Sequence, residues 1–241
     1  MQKIIAKLTN ADKKFDHLEV LKQVNLSIQQ GTILGLIGPS GSGKTTTIKC
    51  LMGMEKLDKG SAEVFSTPMP NRQILKRVGY MGQTDALYEN LSAKENLLFF
   101  GQLMGMNNLE LNEAIKKNMS LVNLSEFTDK LVQTYSGGMK RRLSLAITLL
   151  ANPEFLILDE PTVGIDPSLR VEIWEQLRFL ANNQRAIIVT THVMDEAEKC
   201  DVVGLIIDGQ LFALGTPEEL KTKFHAKTIE EVFLKAEVQT K

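Results

Sequence analysis

The chain has 241 residues, of which 43% are apolar, enough for one or two compact cores, and this argues against a disordered or extended polypeptide. Its 28 basic and 29 acidic residues leave a formal charge of −1, which gives no bulk electrostatic footprint for nucleic acid or an anionic bilayer. Two cysteines, Cys50 and Cys200, both in segments that read as helix, argue against a disulfide framework and for a reducing compartment in which they fill core space.

Taken in chain order, short apolar or alternating runs at 3–8, 24–28, 32–37, 61–65, 78–81, 155–158, 186–190, 202–207 and 210–214 read as strands. Runs 24–28 and 61–65 flank run 32–37 with turn signals at Gln30-Gly31 and Lys59-Gly60, which predicts antiparallel strands near the N-terminus. Residues 92–150 are helical in pattern almost throughout, opening on Ser92-x-x-Glu95. Further helices start at Thr216, with proline at the next position, and at Thr228-x-x-Glu231. These elements describe an α/β sheet protein with a helical insertion. The expected division is a single domain over 1–241, with a core at about 1–84 and 152–220, a helical subdomain at about 85–151 and a helical tail at 221–241. No apolar run approaches the roughly 18 residues of a membrane span, and the first residues lack the apolar stretch of a signal peptide.

The stretch Gly38-Pro39-Ser40-Gly41-Ser42-Gly43-Lys44-Thr45-Thr46 interrupts this pattern directly after the apolar run 32–37. Glycines grouped at a strand end mark close approach of backbone to a guest. The spacing Gly38-x4-Gly43-Lys44-Thr45 fits a phosphate-binding loop, in which backbone N–H groups and a helix start cradle phosphate. Lys44 would then reach the β- and γ-phosphates, and Thr45 would place its hydroxyl on Mg²⁺.

A second chemical signal is the run Phe155-Leu156-Ile157-Leu158 ending in Asp159 and Glu160. Successive strand side chains point opposite ways, so the two acids cannot share one task. Asp159 is assigned to Mg²⁺ and Glu160 to an attacking water. A third signal is Ser136-Gly137-Gly138-Met139 ahead of an apolar helix, a second anion-binding helix start. One triphosphate needs one phosphate loop, so this second start suits the nucleotide held by another copy of the chain.

Together these residues resemble the ATP-binding subunits of ABC transporters, from about Lys3 to about Leu220. The Gly38–Thr46 loop is similar to Walker A, Leu158-Asp159-Glu160 to Walker B with its catalytic glutamate, and Tyr135-Ser136-Gly137-Gly138-Met139 to the signature sequence. The resemblance further implies that Phe15 stacks on adenine, that Gln83 is the Q-loop glutamine near Mg²⁺ and the γ-phosphate, that Asp166 belongs to the D-loop and that His192 is the switch histidine. Tyr135 and Met139 depart from the usual Leu and Gln at the ends of the signature.

The resemblance implies a P-loop NTPase (RecA-like) core with an N-terminal antiparallel β subdomain and an inserted α-helical subdomain. It also implies ATP and Mg²⁺ as ligands, and a head-to-tail dimer with a second copy or a homologous ATPase subunit. A separate integral-membrane permease would hold the pair at the cytoplasmic face of the membrane; nucleic acid is not expected as a partner. Within the family the exporter branch matches best in the segments Gly101–Met106 and Thr191–Glu198. An importer subunit and a soluble ABC ATPase acting on nucleic acid or ribosomes stay open as alternatives, while a metabolic kinase leaves Ser136-Gly137-Gly138 and His192 unexplained.

Overall fold

The computed structural model describes residues 3–239. Strands β1 (Ile4–Phe15) and β2 (Leu18–Gln29) form a long antiparallel hairpin, closed by Asp16 and His17, with Phe15 opposite Leu18. Strand β3 (Ile33–Ile37), a run of five buried residues, leads to helix α1 (Lys44–Leu51). Strand β4 (Lys59–Val64) then pairs antiparallel with β1, and β5 (Thr67–Pro68) closes a sheet of order β2-β1-β4-β5. The hairpin is longer than the runs 3–8 and 24–28 predict, because its outer half is held by polar pairs such as Lys14 with Glu19 at 2.6 Å.

After β6 (Val78–Met81) come the three helices α2 (Ala93–Leu103), α3 (Asn108–Leu121) and α4 (Gly137–Thr148). Strand β7 (Phe155–Asp159), helix α5 (Pro167–Asn182), strand β8 (Ala186–Thr190), helix α6 (Met194–Ala197), strands β9 (Val202–Ile207) and β10 (Gln210–Gly215), and helices α7 (Pro217–Phe224) and α8 (Ile229–Gln239) complete the described chain. The chain divides into two compact units, one up to Leu75 and again from Leu180, the other Lys76–Phe179.

In the first unit β3 lies between β8 and β9, parallel to both, with Leu34 opposite Ile188 on one side and Val202 on the other. Their near-continuous Ile, Leu and Val content suits parallel strands covered on both faces. The Asp201 carboxylate accepts the Ile33 N–H at 2.7 Å, which pins β3 to the start of β9. Strand β10 adds antiparallel to β9. Thr216 and Glu219 form a capping box at α7 with Pro217 at its start, as the sequence predicts, and Thr228 accepts the Glu231 N–H at the start of α8. Cys50 lies in α1, whereas Cys200 falls just past α6; both are buried, neither is held in a disulfide among the described residues, and burial pushes the Cys50 thiol up to about 11.

In the second unit β6 and β7 run parallel, with Met81 opposite Leu158. The helices α2, α3 and α4 bury Leu97, Leu111, Met119, Leu143 and Ala146 against one another. Ser92 with Glu95 and Asn107 with Glu110 each form a capping box. The helical span predicted for 92–150 is broken between Val122 and Tyr135. There Asn123 turns left-handed at φ 53° and two short 3₁₀ turns, Ser125–Phe127 and Val132–Thr134, carry the chain to α4.

Candidate functional site

In the first unit the loop between β3 and α1 is shaped by what its backbone approaches. A Cβ on Gly38 would collide with the Ile206 carbonyl, and one on Gly43, whose φ is 106°, would stand 2.8 Å from the Val20 carbonyl oxygen. Only glycine meets both demands. Gly41, at the tip, has nothing within 4 Å of its Cβ position. Pro39 is half-buried, Ser40 is exposed, and Thr45 and Thr46 are half-buried in the first turn of α1.

Lys44 is only 8% exposed, and its ammonium curls back over the loop and donates to the carbonyl oxygens of Gly38 at 2.7 Å and Pro39 at 2.9 Å. Helix α1 has Gly43 as its N-cap, a residue with no side chain to cap it. The buried Ser42 Oγ has no hydrogen-bond partner among the described residues. A nearly buried ammonium resting on main-chain carbonyls, a helix start with glycine at its N-cap and a hydroxyl without a partner among the described residues suit a phosphate group.

Two further sequence-predicted residues lie in the same unit. Phe15 ends β1 with 42% of its surface exposed, and the Lys13 ammonium stands 4.7 Å from its ring centroid. His192 is exposed on the loop after β8. That loop is fixed by Thr191, whose buried hydroxyl donates to Glu196 at 2.6 Å and accepts the Val193 N–H at 3.0 Å.

The second unit assembles the remaining residues. Strand β7 ends on Asp159, 1% exposed, and the chain then turns at Glu160 in a left-handed conformation, φ 53°. Ser136 caps α4, its Oγ accepting the Met139 N–H at 3.2 Å, and Met139 itself is half-buried. Gly137 faces open space, whereas Gly138 lies against the Gly164 carbonyl. Asp166 accepts from the Ser168 hydroxyl at 2.7 Å and the Leu169 N–H at 3.2 Å; these bonds, the serine's first, hold its carboxyl below the usual range. Gln83, Ser136, Gly137, Gly138, Glu160 and Asp166 line one open cavity of about 650 Å³.

Tyr135 has a packing reason for standing at the head of the signature. Its ring is buried against Phe127 with centroids 6.3 Å apart, its hydroxyl donates to the Phe127 carbonyl at 2.7 Å, and burial pushes the phenol up to about 12. Sequence reasoning missed Arg141 and Asp85. Arg141 is 5% exposed, and its guanidinium donates to the carbonyls of Gly82, Gln83, Asp159 and Glu160 and to Asp85, which also accepts from Ser144 at 2.7 Å. In sequence Arg141 is the middle of three consecutive basic residues, a pattern that reads as a solvated face.

The ABC transporter family model matches residues 21–163 of this chain. The chain belongs to the ABC transporter family. The cassette is 40% identical over 214 residues to the Nod factor export ATP-binding protein I of Burkholderia lata, across 88% of this chain and 70% of that protein. It is 37% identical over 236 residues to the protein of the same name from Rhizobium sp. strain N33, across 97% and 78%. With ABC transporter A family member 8 of Arabidopsis thaliana the identity is 40% over 211 residues, 85% of this chain but 23% of that protein.

Among solved structures, the ATP binding subunit of an ABC transporter aligns at a TM-score of 0.89 with 23% identity, covering 96% of this chain and 99% of that one. A dimeric bacterial ABC transporter cassette aligns at 0.82 with 23% identity, covering 88% and 98%. The ABC cassette therefore has the expected α/β P-loop fold with an antiparallel β subdomain and a helical insertion. It is an ATP-binding subunit of this family and an ATPase.

Proposed function

We propose that this ABC ATPase works as a head-to-tail pair that closes on ATP·Mg²⁺ and reopens on hydrolysis, driving export of a small cargo through a separate permease. The observation that carries the reading is the cavity of the second unit, where the Ser136-Gly137-Gly138 helix start shares one wall with Gln83, Glu160 and Asp166. A serine-capped helix start opening on a cavity suits a γ-phosphate held by the loop of a partner copy, while Glu160 serves the ATP of its own chain. Names of relatives as Nod factor export ATP-binding proteins support the export direction, and a dimeric cassette among the structural neighbours supports the pairing.

The residues divide the chemistry as follows. Lys44 and the N–H groups of Gly38–Thr46 hold the β- and γ-phosphates, with Ser42 Oγ available to one of their oxygens. Phe15 stacks on the base. Thr45, Asp159 and Gln83 are oxygen ligands of the type that holds Mg²⁺, which when bound supplies charge neutralisation of the phosphates. Glu160 takes the proton from the attacking water, and His192 orients the γ-phosphate. Ser136, Gly137, Gly138 and Met139 serve the ATP of the partner copy, with Asp166 facing the same junction.

No helix among the described residues is long and apolar enough to cross a membrane. In this reading attachment to the cytoplasmic face runs through the permease. The segment from Gln83 into α2 suits that contact: Tyr88, 49% exposed, packs edge-on against Phe99 at 4.9 Å beside Phe100 at 6.1 Å. A cysteine at Ala86 should cross-link to a cytoplasmic loop of the cognate permease; copurification with ribosomes or DNA in place of a membrane protein would refute this step.

Mixing two lesions tests the pairing. A pair forced to contain one Lys44→Ala chain and one Ser136→Arg chain concentrates both lesions in one composite site and spares the other. ATP bound to one site per mixed pair is the expected result; no binding at all contradicts head-to-tail assembly.

A further inference from the structure

We propose that Arg141 is a positioning residue for ATP hydrolysis: its guanidinium aims the acid pair of β7 and the Gln83 loop from the first turns of the signature helix. The proposal rests on the roles proposed above for Asp159, Glu160 and Gln83. It starts from the number of donors spent. Nε donates to the Glu160 carbonyl at 3.2 Å, Nη2 donates to the same carbonyl at 2.8 Å and to that of Asp159, and Nη1 donates to Gly82 at 2.7 Å, to Gln83 at 3.2 Å and to the Asp85 carboxylate at 3.3 Å. Every nitrogen of a planar group is thus engaged, and most acceptors are main-chain oxygens just past the ends of β6 and β7.

The consequence for Glu160 is specific. A glutamate at φ 53° occupies a region that L-residues with long side chains seldom adopt, so surrounding bonds must hold it there. Its carbonyl takes two donors from Arg141, so that guanidinium fixes the peptide from which the carboxylate projects. Asp85 stiffens the brace, since it also accepts from Ser144 one turn further along α4. The strands themselves do not depend on this clamp, because Leu156, Ile157 and Leu158 are fully buried and paired with β6. Arg141 therefore couples movement of the Ser136-Gly137-Gly138 helix start to the aim of Glu160 and Gln83.

Lysine keeps the charge but offers one nitrogen, which cannot span carbonyls on two strand ends. In the purified subunit, Arg141→Lys and Arg141→Gln should lower kcat by about 100-fold, the scale of a misplacement near 1 Å, while affinity for a fluorescent ATP analogue stays within about 3-fold. Guanidinium added to Arg141→Ala should restore part of kcat, since the lost group lines the open cavity. Wild-type kcat in Arg141→Lys overturns the proposal. A parallel fall of kcat, nucleotide affinity and melting temperature also overturns it, as the mark of a residue that only holds the fold. If Arg141→Gln does not fold, Arg141→Lys decides alone. Glu160→Gln in the same assay separates the two levels: unchanged turnover there removes the catalytic reading, whereas slow turnover there with normal Arg141→Lys removes the present inference only.

Discussion

Gly138 lies against the Gly164 carbonyl oxygen, so a Cβ placed on it would stand 2.8 Å from that oxygen. One residue earlier, Gly137 has nothing within 4 Å of its Cβ position. Two adjacent glycines at one helix start are therefore retained for different reasons. Gly138→Ala must displace the Gly164 turn, and with it the approach to Asp166; hydrogen exchange should quicken over 162–168 and ATP turnover should fall by about 10-fold or more. Gly137→Ala should leave the stability of the isolated subunit within about 0.5 kcal/mol of wild type. Its cost should appear only when two copies close on ATP, as a weaker dimer in gel filtration. Equal behaviour of the two variants would contradict this division.

Glu160→Gln keeps the size and shape of the proposed base and removes its proton affinity. Turnover should fall by about two to four orders of magnitude with nucleotide binding retained. ATP·Mg²⁺ should then hold the variant as a stable dimer while wild type runs mostly as monomer. Multiple-turnover phosphate release at the wild-type rate would place the base elsewhere.

Ser42 carries a buried hydroxyl without a partner among the described residues, which costs stability in the ligand-free protein. Ser42→Ala should accordingly melt at the same temperature as wild type or higher. Affinity for ATP should weaken by about 10-fold, the scale of one hydrogen bond to a charged group. A variant that is less stable and binds normally would assign the hydroxyl a purely internal role.

Tyr135→Phe keeps the ring contact with Phe127 and strands its carbonyl, at a cost of about 1 kcal/mol near neutral pH. The pH dependence has a definite sign. Burial raises the phenol from an ordinary 10.0 to about 12, so between these values the folded state holds a proton that the unfolded state has lost. Wild-type stability should decline across that window, and the advantage over Tyr135→Phe should shrink with it. Urea melts of both proteins from pH 8 upward measure the difference; a constant gap would mean that the phenol ionises normally.

The parts legible in the sequence are those set by short-range pattern. The phosphate loop is carried by Gly38, Gly43 and Lys44 at fixed offsets, and β3, β7 and β8 by uninterrupted buried runs. The outer half of the β1–β2 hairpin was not legible, because residues such as Lys14 and Glu19 alternate no apolar face and are stabilised across the pair. The break after α3 was hidden too, since Leu124 and Val132 stay buried at spacings a helix would allow while Asn123 supplies the turn. Among Lys140, Arg141 and Arg142 nothing local marks the one that goes inside. Lys140 pairs with Glu89 at 2.5 Å, and Arg142 reaches the Val122 and Asn123 carbonyls; only the fold around Gly82 and Asp159 selects Arg141 for burial.

Lys44 has already left water. The residue is 8% exposed and its ammonium rests on the carbonyl oxygens of Gly38 and Pro39, so most of the desolvation cost falls on folding and not on association. Docking an anion at this loop is then an exchange of neutral oxygens for charged ones around a cation fixed in advance. Selectivity follows from the same exchange: a ligand gains only as far as its oxygens outbid two peptide carbonyls, which water and chloride do poorly and a polyphosphate does well.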